Sequence, residues 1–330
     1  MLDPTALTTW LLTDGKPGME NQCLGLAEAL GVTPAIKRIA LRQPWASLPP
    51  QLAFRPLRSL AGGSDALAAP WPDLLIASGR ATVALSIAIR RLSRGRTFTV
   101  QIQNPAVSLS KFDLVAAPVH DGLSAPNVIS THGSLNRVQA ARIAVEAERF
   151  RDAAAHLPRP LVMVSLGGDN KVYRMTPAVI DRLARDLRTM VEQDGAGLLV
   201  TPSRRTGADN ERRLRAALAG LPHLWWDGTG DNPYLGWTGL ADAFVVTGDS
   251  VNMVSEACGT GKPVMVVHLE GGNDKFGRFH TAMADAGLTR PFAGRLLRWT
   301  YPPLDDTATV AAAVRARLAA RQQTSGGGAR

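Results

Sequence analysis

Short apolar runs rich in β-branched residues alternate with stretches of helical periodicity along almost the whole chain. Few folds accept that order, and the simplest is a parallel sheet whose strands are joined by helices covering both faces. The alternation comes in two series. In the first, strands are predicted at 8–13, 35–40, 73–78, 97–103, 113–118 and 127–131, with helices at 20–30, 80–93 and 137–157. Leu157-Pro158-Arg159-Pro160 ends that last helix, because closely spaced prolines hold the chain extended. The second series begins at once with strand 161–167 and helix 176–193. Strands 197–202, 223–227, 243–247 and 263–269 follow, alternating with helices 208–221, 232–241, 251–259 and 274–286. The expected protein is α/β, with two doubly wound, Rossmann-like domains at 1–157 and 158–306, a C-terminal helix at 307–322 and a disordered tail at 323–330. Two such domains facing one another would enclose a ligand cleft at the carboxyl ends of their strands.

Charge narrows the class of partner. Lys and Arg number 37 against 28 Asp and Glu, a formal net charge of +9, which favours an anionic ligand. Nucleic acid is not expected, since the Arg residues are scattered, Tyr and Phe are few and no helix-turn-helix or RNA-binding signature occurs. No apolar run approaches the roughly 20 residues of a membrane span, and the first strand has no basic leader, so the expected location is cytoplasmic. Cys23 and Cys258 sit inside amphipathic patterns and read as buried thiols. No His, Cys and carboxylate spacing suggests a metal, and Asp305-Asp306 reads as a helix cap.

Five turns from strand to helix are rich in Gly and polar residues: Asp14-Gly15-Lys16-Pro17-Gly18, Ser78-Gly79-Arg80, Gly167-Gly168-Asp169-Asn170-Lys171, Ser203-Arg204-Arg205-Thr206-Gly207 and Gly248-Asp249-Ser250. Each would aim free amides and the positive end of a helix at one edge of its sheet, where a phosphate could bind. In the fifth, Ser250 could hold a diphosphate and Glu256, two turns into the next helix, could accept from ribose hydroxyls. The plainer reading makes Asp249 or Ser250 a helix cap and Glu256 a solvated side chain. His120, at the end of strand 113–118 beside Asp121, is a candidate general base, in competition with Asp14 and Glu20 of the first loop.

Asp249-Ser250, Glu256-Ala257 and Gly261-Lys262-Pro263-Val264 resemble the donor-nucleotide segment of GT-B-fold proteins, with the spacing of UDP-N-acetylglucosamine 2-epimerases. Val251 and Asn252 replace the paired glycines of those enzymes. A wider resemblance covers nearly the whole chain, to the mitochondrial fission family related to the plant elongated-mitochondria protein. It rests on 13–18 with Glu20-Asn21-Gln22 and Gly25-Leu26-Ala27, on Ser78-Gly79-Arg80, Phe112-Asp113-Leu114-Val115 with His120-Asp121, Ser203-Arg204-Arg205-Thr206, Asn232-Pro233-Tyr234 and Arg290-Pro291-Phe292. Met19 stands where that family suggests His, and Asn104-Pro105-Ala106 where it suggests Asp-Pro-Arg.

The resemblance implies a GT-B-like fold and no settled reaction; the leading expectation is a metal-independent glycosyltransferase with a nucleoside-diphosphate sugar as donor. Gly167, Gly168, Ser203, Arg204, Arg205, Thr206, Asn232, Tyr234, Asp249, Ser250 and Glu256 would form the nucleotide side. Gly15, Lys16, Gly18, Asn21, Gln22, Ser78, Gly79 and Arg80 would form the acceptor side. A scaffold protein that keeps nucleotide binding without turnover, and an epimerase, are the alternatives. Between Lys37 and Leu60, five basic residues mix with Trp45, Leu48, Leu52, Phe54 and Leu57, which suits either an anionic membrane surface or a packed connection.

Overall fold

The computed structural model describes residues 7–326, and they form two compact units. The first comprises the chain up to Arg137 together with the segment from Asp305 onward. Its sheet contains β1 (Thr9–Thr13), β2 (Ala35–Arg38), β3 (Leu74–Ser78), β4 (Phe98–Ile102), β5 (Leu114–Pro118) and β6 (Val128–Thr131), all parallel, in the order β2-β1-β3-β4-β5-β6. Helices α1 (Pro17–Leu30), α2 (Arg80–Leu92) and α9 (Asp306–Gly326) complete the unit. β3 is buried at every residue, as a central parallel strand covered on both faces must be.

The second unit runs from Val138 to Leu304. Its main sheet has β7 (Leu161–Ser165), β9 (Gly197–Thr201), β10 (His223–Trp225), β11 (Ala243–Thr247), β12 (Val264–Val267) and β14 (Thr289–Pro291), again parallel, in the order β10-β9-β7-β11-β12-β14. A small antiparallel ribbon pairs β8 (Tyr173–Arg174) with β13 (Glu270–Gly271). The helices are α3 (Ala140–Ala154), α4 (Pro177–Asp194), α5 (Ala208–Ala217), α6 (Tyr234–Leu240), α7 (Val251–Cys258) and α8 (Asp274–Asp285). One apolar cluster lies on each face of this sheet, centred on Leu183 and Leu187 on one side and on Phe244 and Phe279 on the other.

The expected division of the chain at 157/158 is displaced. Helix α3, assigned above to the first domain, belongs to the second unit because it packs against α6. The reason is a pair of glycines: a Cβ at Gly236 would overlap the Phe150 ring, and one at Gly239 would overlap the Ile143 carbonyl oxygen. Backbones therefore approach more closely than larger residues would allow. The C-terminal helix is likewise no separate element. It packs on α1 and buries Val310, Ala311 and Val314 completely. It also runs to Gly326, so the tail expected from 323 is helical in its first four residues, and the rest of it, 327–330, lies outside the described residues. Among the described residues no helix is long and apolar enough to cross a membrane.

Candidate functional site

In a doubly wound sheet, loops diverge where strand order reverses, and a crevice opens at the carboxyl ends of the two strands involved. In the second unit those strands are β7 and β11. The turns that leave them are stitched together: Gly167 N–H donates to Thr247 Oγ1 (2.7 Å) and Gly168 N–H to Asp249 Oδ2 (3.1 Å). The turn after β9 joins them, with Ser203 Oγ (2.9 Å) and Thr206 Oγ1 (2.7 Å) both donating to the Gly167 carbonyl. Arg205 closes the ring through an ion pair to Asp249 at 2.6 Å.

Both glycines are dictated by this closeness. A Cβ on Gly167 would overlap the Asp249 carboxylate, and one on Gly168, at φ +148°, would overlap the Arg205 carbonyl oxygen. Gly168→Ala is therefore expected to lower stability by about 2 kcal/mol through backbone strain and to displace the turn. Urea unfolding checks this, and an unchanged midpoint would show that the turn yields freely.

Arg204 and Arg205 have different surroundings. Arg205 is held by Asp249, whereas Arg204 is exposed, lines a cavity and forms no ion pair among the described residues. That cavity, about 580 Å³, lies between the ends of β9 and β10 and helices α6 and α7, within the usual range for small-molecule sites. Thr201, Ser203, Trp226, Asn232, Tyr234 and Met253 are among its walls. Trp226 was not singled out from sequence, and the signal was there: adjacent strand residues face opposite ways, so Trp225 and Trp226 cannot both enter one core cluster.

Ser250 is the N-cap of α7, accepting from Met253 N–H at 3.4 Å, so the plainer reading holds for its hydroxyl. Glu256 is not merely solvated. Burial pushes its carboxyl up to about 7, while a 2.7 Å hydrogen bond from the Tyr234 hydroxyl to Oε2 acts in the opposite direction. Tyr234 is in turn raised well above its ordinary range by burial. Asn232 accepts from Tyr234 N–H (3.0 Å) and fixes the turn into α6. Lys262 of the Gly-Lys-Pro motif donates to the carbonyls of Gly239 (2.9 Å) and Ala241 (2.6 Å), closing the end of α6. Asp249 Oδ1 is buried without a partner among the described residues, so the crevice contains one unsatisfied anionic acceptor.

In the first unit the order reverses between β1 and β3, and the two turns expected on the acceptor side leave those strands. Gly15 and Lys16 lie in the first of them, Gly18 is in the first turn of α1, and Asn21 and Gln22 follow within that helix. Ser78 Oγ donates to Met19 Sδ (3.3 Å), so the methionine fills the space beside Gly79. Asp14 is paired with Lys16, Glu20 takes both arms of Arg38 (2.6 and 3.0 Å), and Arg80 donates to the carbonyls of Ser47 and Leu48. Gln22 is buried and accepts from Gln103, which adopts φ +71° at the end of β4. His120 follows β5 on a short 3-10 turn, its side chain only 2% exposed and Nε2 4.0 Å from Asp121. Two strands separate β5 from β1, about 14 Å in all, so the turn holding Asp14 and the one holding His120 are not neighbours on this sheet. Asp306 accepts from the amides of His132 and Gly133, and Asp305 caps α9 through Ala308 N–H. No metal-binding group of three His, Cys, Asp or Glu occurs among the described residues.

Two parallel six-stranded α/β units with their reversal points marked by Gly-rich turns define a GT-B-like fold. MurG from Acinetobacter baumannii matches with a TM-score of 0.53 at 14% identity, over 94% of this chain and 91% of that one. The UDP-GlcNAc 2-epimerase from Methanocaldococcus jannaschii, in complex with UDP-GlcNAc and UDP, matches at 0.53 with 12% identity over 93% and 98%. The chain belongs to the mitochondrial fission ELM1 family, whose model matches residues 17–318. Mitochondrial fission protein ELM1 of Arabidopsis thaliana is 30% identical over 389 residues, covering 94% of this chain and 91% of that protein.

Proposed function

We propose that the protein is a glycosyltransferase that takes a nucleoside-diphosphate sugar as donor and binds its nucleotide in the second unit. The observation that carries the reading is the cavity beside the β7–β11 reversal, which brings together the Trp226 ring, Arg204 with no ion pair among the described residues, and Tyr234, whose hydroxyl donates to Glu256. In this reading the base stacks on Trp226 and a ribose hydroxyl donates to Glu256. The diphosphate meets Arg204 and the amino end of α7. Arg204 then balances the charge that grows on the departing nucleoside diphosphate as the sugar is transferred, a role that needs no metal. In the first unit, His120, Asp14 and Glu20 are the candidates for taking the acceptor's proton.

A second reading, a scaffold that binds nucleotide without turnover, is favoured by the ion pairs that already occupy Asp14 and Glu20 and by Met19 filling the first reversal point. Turnover separates them. A transferase releases nucleoside diphosphate only with acceptor present, an epimerase alters the sugar without release, and a scaffold does neither.

Calorimetry with UDP and other nucleoside diphosphates tests the shared premise. Arg204→Ala is expected to weaken binding tenfold or more with little change in melting temperature, since it loses a charge-assisted contact and no partner. Arg205→Ala is expected to lower the melting temperature as well, because Asp249 is left buried and unpaired. Equal affinities of wild type and Arg204→Ala would remove the diphosphate assignment.

A further inference from the structure

The connection between β2 and β3 in the first unit has two sides. Leu41, Leu57, Leu60 and Trp71 pack inward against Leu12, Leu75, Leu85 and Ile89. Leu52 and Phe54 point the other way and are 63% and 75% exposed, and Phe54 is the one aromatic among the large apolar side chains left exposed in the described residues. They stand on a ridge whose shape is fixed by proline: short 3-10 turns begin at Pro50 and Pro56, each with Pro in its first turn. Phe54 lies in the short link between these two turns.

Beside the ridge lies a groove of about 350 Å³ with an apolar floor of Ala84, Ile87, Ala88 and Val107. Arg55, Arg91 and Lys111 line it and no carboxylate does. All three, and Arg58 nearby, are exposed and form no ion pair among the described residues, and the Arg55 guanidinium lies 5.2 Å from the Phe54 ring centroid. Trp45 is differently placed, half-buried with Arg42 over its ring, which favours the packed connection at that residue.

We propose that this ridge and groove form a docking surface for an anionic phospholipid bilayer. Leu52 and Phe54 enter the interfacial layer, and Arg55, Arg58, Arg91 and Lys111 meet the headgroup phosphates. Apolar tips ringed by cations, with no acid among the groove lining, match the one surface that offers hydrocarbon beneath a plane of negative charge. An acidic peptide would satisfy the cations and leave the tips in water. The inference stands apart from the transferase reading, since no residue named in it belongs to the nucleotide cavity.

The full-length protein is floated with vesicles of phosphatidylcholine alone and with vesicles in which phosphatidylglycerol makes up roughly a third of the lipid. Wild type is expected to bind the anionic vesicles at least tenfold better and to lose most of that binding in high salt. Leu52→Ser/Phe54→Ser and Arg55→Glu/Arg91→Glu/Lys111→Glu are each expected to lose tenfold or more with the melting temperature kept, since the altered side chains are exposed. Absence of binding to anionic vesicles overturns the proposal. So does a Leu52→Ser/Phe54→Ser variant that binds like wild type, which would leave only a diffuse attraction of a basic protein to negative charge. Binding of micellar dodecyl phosphate without vesicle binding overturns it in favour of a soluble amphiphile. Nucleotide affinity is measured on the same variants and is expected to stay unchanged, which keeps this result separate from that of the cavity.

Discussion

A chain that stops after Leu304 is expected to keep the second unit folded and to lose the first. Helix α9 buries Val310, Ala311 and Val314 completely, and Asp306 at its start satisfies the amides of His132 and Gly133. Removing two buried valines and an alanine uncovers apolar surface worth on the order of 5 kcal/mol. A domain's whole stability is about 5–15 kcal/mol, so the loss takes the first unit to the edge of unfolding. Arg315 and Arg317 deepen the effect, because they donate to the carbonyls of Ala29, Asp113 and Pro126. Hydrogen exchange gives the comparison directly. Amides of β1 to β5 should lose protection while those of β7 and β9 keep it, and full protection in both sheets would show that α9 is dispensable.

The second large effect is a dependence on pH set by Glu256, the hydrogen-bond partner of the cavity-lining Tyr234. Its carboxyl is pushed up to about 7 by burial, against 4.5 for a free glutamate, so the folded state holds the proton more tightly than the unfolded chain does. Below pH 4.5 both states are protonated and the group costs nothing. As pH rises from 4.5 to 7 the unfolded chain releases its proton first and stability falls, reaching a constant deficit above 7. The full deficit is on the order of 3 kcal/mol. Glu256→Gln should remove it, gaining that amount at pH 8 and nothing at pH 4, while Gln Oε1 still accepts from Tyr234. Urea unfolding of both proteins across this range isolates the effect from Asp306, which burial also raises and which both proteins share. Parallel curves for the two proteins would show that Glu256 is ionised at little cost. On the proposed function, the same substitution weakens nucleotide binding at pH 8, where the carboxylate is the better acceptor for a ribose hydroxyl.

Hydrophobic periodicity was enough to place the strands of both main sheets except β14, and every helix, to within a few residues, because the central strands are mostly apolar, as in Leu161–Val164, and each helix repeats its buried face. It could not show which unit a helix joins. That choice was made by Gly236 and Gly239, whose meaning depends on a partner about ninety residues earlier in the chain. The Pro158 and Pro160 signal was real but marks only the entry to β7. Strands β8 and β13 have two residues each and carry no period at all.

At the candidate site, the glycine turns were legible because a backbone that must approach another leaves a gap in side-chain volume. The partners of the charged residues were not. Arg204 and Arg205 are neighbours of identical chemistry, and only the fold separates the one that faces the cavity from the one spent on Asp249. Glu20 and Arg38 lie far enough apart in sequence that their bidentate pairing has no local signature.

The second unit is one continuous stretch, whereas the first is made of two pieces that bracket it. On the ribosome this sets an order of maturation. At about 5–20 residues per second, the interval between the emergence of Thr131 and that of Asp306 is roughly 10–35 s. Throughout it the second unit can complete its own core, while the nascent first sheet waits with the α9-facing side of α1 uncovered. The later-made unit therefore finishes first, and the part of the molecule most in need of a holding chaperone is the one that was synthesised earliest.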